Sequence, residues 1–426
     1  MKTSTRLRVP GPVCILLAAL GAVLGAFPAA ADWPGILGVD RNGQTATPLP
    51  SELPEDPQVL WRAGVGEGMS GVVVAGGRVL VFHRPGSVER LEAFDVKNGT
   101  SLWQRDSPAT YRGGILPDSG PRAVPTVAGD AVVTFGAGGR LAASALKDGA
   151  ERWSVETAAV YGAPEGYFGF GSSPLVVDVG ERQLVVAAVG GEVEGGAAGV
   201  VAFDLANGAE VWRSVDDRAS YSSPVVASLG GRDQVVVATR LRVVGLDPKS
   251  GDVIWTVPFG RRGPSAVGAL PVTSGGRLVI TAAYGVGAKL LDFSKPEPEV
   301  VWSGDQLSSH YPTPAVIGGT IYGADGREDH GTGRLRAVDL ATGEVRWTEK
   351  SLGLAHLLHD GERLLAVRID GTLDLIAPSP ERFRRLGSAK VSRETTRAVP
   401  AYVNGVLLVR TTPSRGGGEV LAVKLR

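Results

Sequence analysis

From residue 58 onward the chain alternates short apolar runs with breaks marked by glycine, proline and polar residues. The runs come in pairs. SGVVVAG (70–76) is followed by RVLVFH, SPLVVD (173–178) by QLVVAAV, SPVVAS (223–228) by QVVVATR, and TPAVIGG (313–319) by GTIYGAD. Runs this short, rich in β-branched residues and bounded by turn formers, predict strands. No stretch with helical periodicity stands out. After each pair comes a unit with fixed internal spacing, clearest in LRAVDLATGEVRW (335–347). Gly stands four residues before Trp at Gly99/Trp103, Gly149/Trp153, Gly208/Trp212, Gly251/Trp255 and Gly343/Trp347. Asp stands eight before it at Asp95, Asp204, Asp247 and Asp339, and Ala145 replaces it in the copy at 141–156. Gly accepts the positive φ of a tight hairpin, Asp can accept from the backbone of the turn it opens, and Trp offers a large apolar body with one N–H. A lone hairpin cannot bury such a residue, so repetition predicts stacking on the next copy.

The tryptophans measure the repeat. Trp61, Trp103, Trp153, Trp212, Trp255, Trp302 and Trp347 are separated by 42, 50, 59, 43, 47 and 45 residues. Each is expected to act as a structural docking residue. Trp302 sits in a looser copy without the Gly, and the seventh copy (373–388) has no Trp, so Phe383 or Leu386 is expected to substitute. Eight second strands can be counted. The last repeat (398–426) supplies only three strands, and VLWRAG around Trp61 is a fourth strand without its own repeat. The expectation is an all-β, eight-bladed β-propeller of four-stranded antiparallel blades, closed by pairing the N-terminal strand with the C-terminal ones, which removes open edges.

The N-terminus reads as an export signal. Lys2, Arg6 and Arg8 precede an apolar stretch at 13–27 and small residues at Ala29–Ala31, so residues 1–31 are assigned as a signal peptide and the chain as periplasmic or extracellular. Residues 32–57, proline-rich and aperiodic, are expected to form an extended arm on the surface, and 58–426 the propeller. The one cysteine, Cys14, falls inside the signal, so the mature chain can form no disulfide, haem attachment or thiolate metal site. Lys+Arg and Asp+Glu are both 44, which argues against a dedicated nucleic-acid binder. After signal cleavage no stretch is apolar enough to span a bilayer, and a monomer is expected.

These repeats resemble the quinoprotein-type propeller family with tryptophan-docking motifs, over about 58–426. DWPGILGVDRNG (32–43), GPRAVPTVAGD (120–130), YFGFGSSPLVVD (167–178), SSHYPTPAVIGGTIYGADGRED (308–329) and LRAVDLATGEVRW carry a likeness to the exported PQQ-like repeat proteins, which also resemble the assembly lipoprotein BamB. The resemblance implies two possibilities. One is a non-enzymatic ring that docks a protein or a cell-envelope component, with no cofactor. The other is a dehydrogenase holding pyrroloquinoline quinone with calcium, a subgroup that is longer and typically carries a vicinal Cys–Cys disulfide, absent from the mature chain here. The first fits better.

Candidate chemistry lies where loops into first strands meet loops joining second to third strands. Arg122, Tyr221, His310, Tyr311, His356 and Arg397 belong to the former, and His83, Arg84, Asp325, Arg327, Asp329, His330 and Asp370 to the latter. Together they predict a polar funnel able to hold an anionic group, a small ligand or a carbohydrate; His359 should face the other end. In ADGREDHGTG (324–333), Asp325, Glu328 and Asp329 could offer oxygens to calcium, yet the spacing fits no EF-hand and a solvated hairpin is favoured. Tyr161, Tyr167, Phe168 and Phe170 are expected mainly to pack. No nucleophile elbow, zinc-protease helix or phosphate-binding loop is present.

Overall fold

The computed structural model describes Met1 and residues 32–194, 196–414 and 416–426. The expected signal peptide, apart from Met1, lies outside the described residues. Among these, the chain forms eight four-stranded antiparallel sheets. Blade one comprises Val72–Ala75, Arg78–His83, Val88–Asp95 and Ser101–Pro108. Blades two to seven follow over 126–156, 175–214, 225–258, 272–304, 315–349 and 355–390. Blade eight takes three strands from 401–424 and its outer strand, Val59–Val65, from the other chain end. Trp61 pairs with Ala422 and Ala63 with Val420, so both ends are held in one ladder. The second and third strands are buried along most of their length, and the outer strands are largely exposed apart from positions such as Trp61, Trp153, Trp212, Trp255 and Trp302. Among the described residues no helix is long and apolar enough to cross a membrane.

The Asp and Gly positions do the expected local work. Asp95 Oδ1 accepts from the Lys97 and Asn98 N–H groups, Asp204 Oδ1 from Ala206, and Asp247 Oδ1 from Lys249. The Gly has a second task, visible only between blades. Its flat backbone lies against the Trp ring of the preceding blade. A Cβ on Gly99 would come within 2.5 Å of Trp61, on Gly208 within 2.6 Å of Trp153, and on Gly343 within 2.8 Å of Trp302. The indole then reaches past the turn. Trp61, Trp153, Trp212, Trp302 and Trp347 donate to backbone carbonyls of Val96, Leu205, Pro248, Leu340 and Ser379 at 2.8–3.0 Å. Trp255 donates instead to the Gln234 side chain at 2.6 Å, and the Trp103 N–H finds no partner among the described residues. Burial of each ring is worth about 1.5–3 kcal/mol.

The seventh copy departs from expectation. Neither Phe383 nor Leu386 takes the place of the missing indole. Strand pairing puts Gly387 opposite Leu375, the place that Trp347 holds opposite Ala337 in blade six. Leu53 of the N-terminal arm lies over Gly387, 3.4 Å from where its Cβ would be. Phe383 sits in the turn and packs on Trp347, with centroids 5.7 Å apart.

Residues 32–57 therefore do more than lie on the surface. Trp33 bridges Val74 of blade one, the Val127 N–H of blade two donates to Pro34 O, and Thr45 and Gly43 bond His359 of blade seven. Between these contacts the chain turns at Leu37 and Arg41, both at positive φ. The buried Arg41 guanidinium projects inward and donates to Pro224 O at 2.8 Å, to Thr126 Oγ1 at 3.1 Å, and to Pro174 O. One arm residue thus ties blades two, three and four. Burial lowers its pKa to about 9, which leaves it charged at neutral pH.

Candidate functional site

The loops into first strands and those joining second to third strands gather at one end of the ring. Short hydroxyl side chains at the start of first strands staple neighbouring blades there. Val124 N–H donates to Ser173 Oγ, Ser173 N–H to Ser223 Oγ and Leu270 N–H to Thr313 Oγ. This explains the small residues before the first-strand runs. It also fixes the loop side chains that follow.

Six of the expected funnel residues, His310, Tyr311, His356, Arg397, Arg327 and Asp329, come together over blades five to eight. His310, Tyr311 and His356 stack in series, with centroids 5.1 and 5.7 Å apart. Glu328, from the one-turn 3-10 segment Glu328–His330, joins them: it accepts from the Tyr311 hydroxyl at 2.8 Å and from Arg397 Nε at 2.5 Å. His310 Nδ1 accepts from the Glu328 N–H at 3.3 Å, so Nε2 carries the proton and donates to Tyr284 Oη at 2.8 Å. Arg327 lies 4.0 Å over the Tyr284 ring and pairs with Asp329. His356 Nε2 donates to Arg397 O. Burial lowers the pKa of both histidines and raises that of Tyr311 far above the phenol range. Tyr284 and Glu328 were not singled out in the sequence as funnel residues. Tyr284 stands in a turn at positive φ, a signal that only coordinates reveal.

Apart from the exposed His330, the other expected residues are spread elsewhere and bonded locally. His83 accepts from Gly66 N–H at Nδ1 and donates from Nε2 to Glu92 at 3.1 Å. Burial dominates and lowers the His83 pKa. Burial alone would raise Glu92, but hydrogen bonds from His83, Ser101 and Gln104 outweigh it and hold this carboxyl low. Arg84 donates to the carbonyls of Tyr111, Ser119 and Gly86. Arg122 donates to Asp118 O at 2.7 Å and to Gly120 O, and Tyr221 Oη accepts from Phe168 N–H. Asp325 is buried, accepting from Ser308 N–H and Arg334. Asp370 accepts from Thr372 N–H and pairs with Arg368. His359 lies at the opposite end, against the arm. The single polar funnel is thus replaced by separate packed networks.

Asp325, Glu328 and Asp329 point to three different partners, and among the described residues no group of three or more His, Cys, Asp or Glu side chains is placed to hold a metal ion.

One part of this face is not closed in on itself. Ile115 and Leu116, in the loop before blade two, and Tyr167, in the loop before blade three, are all exposed, Ile115 by 68%. Tyr111 Oη donates to Tyr167 O at 3.1 Å, and a Cβ on Gly114 would strike that same carbonyl, so the two loops touch. Tyr161 and Phe170, by contrast, are buried, against Phe203 and Phe135. The expected aromatic cluster splits into core and rim.

Fold and site define an all-β propeller of tryptophan-docked blades, with a stapled loop face and an apolar rim on two of its loops. The chain belongs to the family described as outer membrane protein assembly factor BamB, whose profile matches residues 53–192 and 169–349. A search of curated proteins finds no match. Among solved structures, BamB from Moraxella catarrhalis is 18% identical with a TM-score of 0.60, covering 87% of this chain and 98% of its own. A europium-containing methanol dehydrogenase is 12% identical with a TM-score of 0.65, covering 93% and 98%. The computationally designed Ika8 protein is 13% identical with a TM-score of 0.58, covering 86% and 100%. At these identities the likeness is one of fold.

Proposed function

We propose that this chain is an exported, non-enzymatic scaffold that docks a protein of the cell envelope through the loop face of the ring. The observation that carries the reading is the exposed Ile115, Leu116 and Tyr167 on two touching loops. Exposed apolar side chains gathered on a polar rim are what a partner surface covers. Two further facts support it. The family description concerns assembly of outer-membrane proteins. His310 spends both ring nitrogens on internal hydrogen bonds, and His356 spends Nε2 on Arg397 O. On this reading the chain works as a monomer and without a resident quinone.

The test is co-purification of a tagged chain, cross-linked in its own cells, with outer-membrane assembly components. The double variant Ile115→Asp, Leu116→Ser should lose them, while Lys97→Ala, on a turn at the opposite end, should retain them. Retention of all partners by the double variant contradicts the proposal. So does dye reduction by an alcohol or sugar after pyrroloquinoline quinone and calcium are added, which would restore the dehydrogenase reading.

A further inference from the structure

We propose that the cleft between blades three, four and five binds a small organic anion: a carboxylate or phosphate ester carried on a flat, apolar ring. This site goes beyond the docking role, and Tyr221 is the only expected funnel residue that lines it. The inner cleft has a volume of about 360 Å³, within the range of small-ligand pockets, and opens into a wider groove of about 700 Å³. It exists because its walls are glycines. A Cβ on Gly166 would stand 2.6 Å from Tyr221 Oη, one on Gly171 2.9 Å from the Tyr221 ring, and one on Gly190, at φ 77°, would strike the Ala219 backbone.

Two guanidiniums face this space, Arg218 and Arg240. Among the described residues neither stands in an ion pair, whereas Arg242 beside them pairs with Asp217. Arg240 donates to Ser265 Oγ at 2.5 Å and to Gly263 O, which fixes its plane without cancelling its charge. Arg218 is exposed, and among the described residues its side chain meets neither a carboxylate nor a carbonyl at bonding distance. The nearest candidate, Asp217, is already occupied: it accepts from Thr239 Oγ1 and Leu241 N–H and pairs with Arg242 at 3.7 Å. Glu165 is the one carboxylate lining the inner cleft. In the inner cleft the two guanidiniums outnumber that carboxylate, while the wider groove sets Glu192, Asp216 and Asp217 against Arg242 and Arg262; a guanidinium fork matches the paired oxygens of carboxylate or phosphate.

The opposite wall is aromatic and rigid. Tyr221 is held by the Phe168 N–H and by the Phe168 ring at 5.4 Å, and Phe170 is buried against Phe135 at 5.2 Å. An apolar ring can lie on this wall while its anionic group reaches Arg218 and Arg240. A bare inorganic ion would use the cations and leave the wall wet.

The test is titration calorimetry of the mature chain at low salt with phenyl phosphate and phthalate, beside inorganic phosphate and phenol. The expected result is saturable one-to-one binding of the aryl anions, about tenfold or more tighter than of inorganic phosphate or phenol. Arg218→Ala should weaken that binding about tenfold or more, and Arg182→Ala, on a hairpin at the opposite end of blade three, should leave it unchanged. Three results would overturn the proposal: no saturable binding of either aryl anion, equal binding of inorganic phosphate, or unchanged affinity in Arg218→Ala. The partner test turns on Ile115 and Leu116, so either idea can fail alone.

Discussion

At the residue scale, the Gly–Trp contact is the most exposed point of the account. Gly208 and Gly231 share a left-handed backbone, φ 76° and 79°, but only Gly208 faces an indole. Gly231→Ala should cost about 1 kcal/mol, the strain of a Cβ at positive φ. Gly208→Ala adds a clash with Trp153 and should cost about 3 kcal/mol or more. Urea unfolding of the two variants measures the difference, and equal losses would mean that the ring does not need the flat surface. Titration gives a second residue-scale test. Burial pushes the Glu89 carboxyl up to about 7, against the pull of the Ala137 N–H and of Arg84 and Arg122. A carboxyl raised above its unfolded value contributes stability below pH 4.5 that is lost as pH rises through 7. Glu89→Gln should therefore match the parent near pH 5 and melt higher at pH 8. His83, His310, His356 and His359 act in the other direction, all lowered by desolvation. Their contribution is present above about pH 6.5 and fades as pH falls through their folded values. With Glu89 replaced, the melting temperature should still drop between pH 7 and 5.

At the element scale, the arm behaves as part of the fold. It bonds blades one, two and seven, places Arg41 among the first strands of blades two, three and four, and lays Leu53 over Gly387. Arg41→Ala removes the donor that Pro224 O receives, a loss of about 1–3 kcal/mol for a carbonyl left unsatisfied, while Pro174 O keeps the Thr126 hydroxyl. Limited proteolysis should then cut within 44–57 faster than in the parent; an unchanged cutting rate would show that the arm is held without it. The repeat was legible from the sequence because each strand has only one apolar face to satisfy and each turn one conformation to supply. The arm was not. Its contacts are single residues reaching blades far apart in sequence, and a lone arginine in VDRNG carries no periodicity that could mark it as buried. Leu53 was hidden for the same reason, since the vacancy it covers is created by a glycine more than 300 residues later.

At the scale of the whole molecule, the sequence placed the loops at the correct end but not their side chains relative to one another. His310, Tyr311, His356, Arg397 and Arg327 do share one network. Glu328 unites them, and it was legible only as part of an acidic loop. Arg84, Arg122, His83 and Asp325 were candidates by type and position, yet each finds carbonyls or one partner nearby, as buried polar groups must. Arg218 and Arg240, which among the described residues meet no carboxylate at bonding distance, were missed because neither stands beside a repeat signal. What stays exposed on this face is the apolar rim at Ile115, Leu116 and Tyr167.

That closure is best tested by hydrogen exchange on the intact mature chain. If Val59–Val65 is the outer strand of blade eight, its amides bonded to Gly418–Lys424 should exchange with that strand, by one opening with a shared dependence on denaturant. Rapid exchange across 59–65 while 418–424 stays protected would mean that the chain ends do not share a sheet, and the ring described here would be wrong.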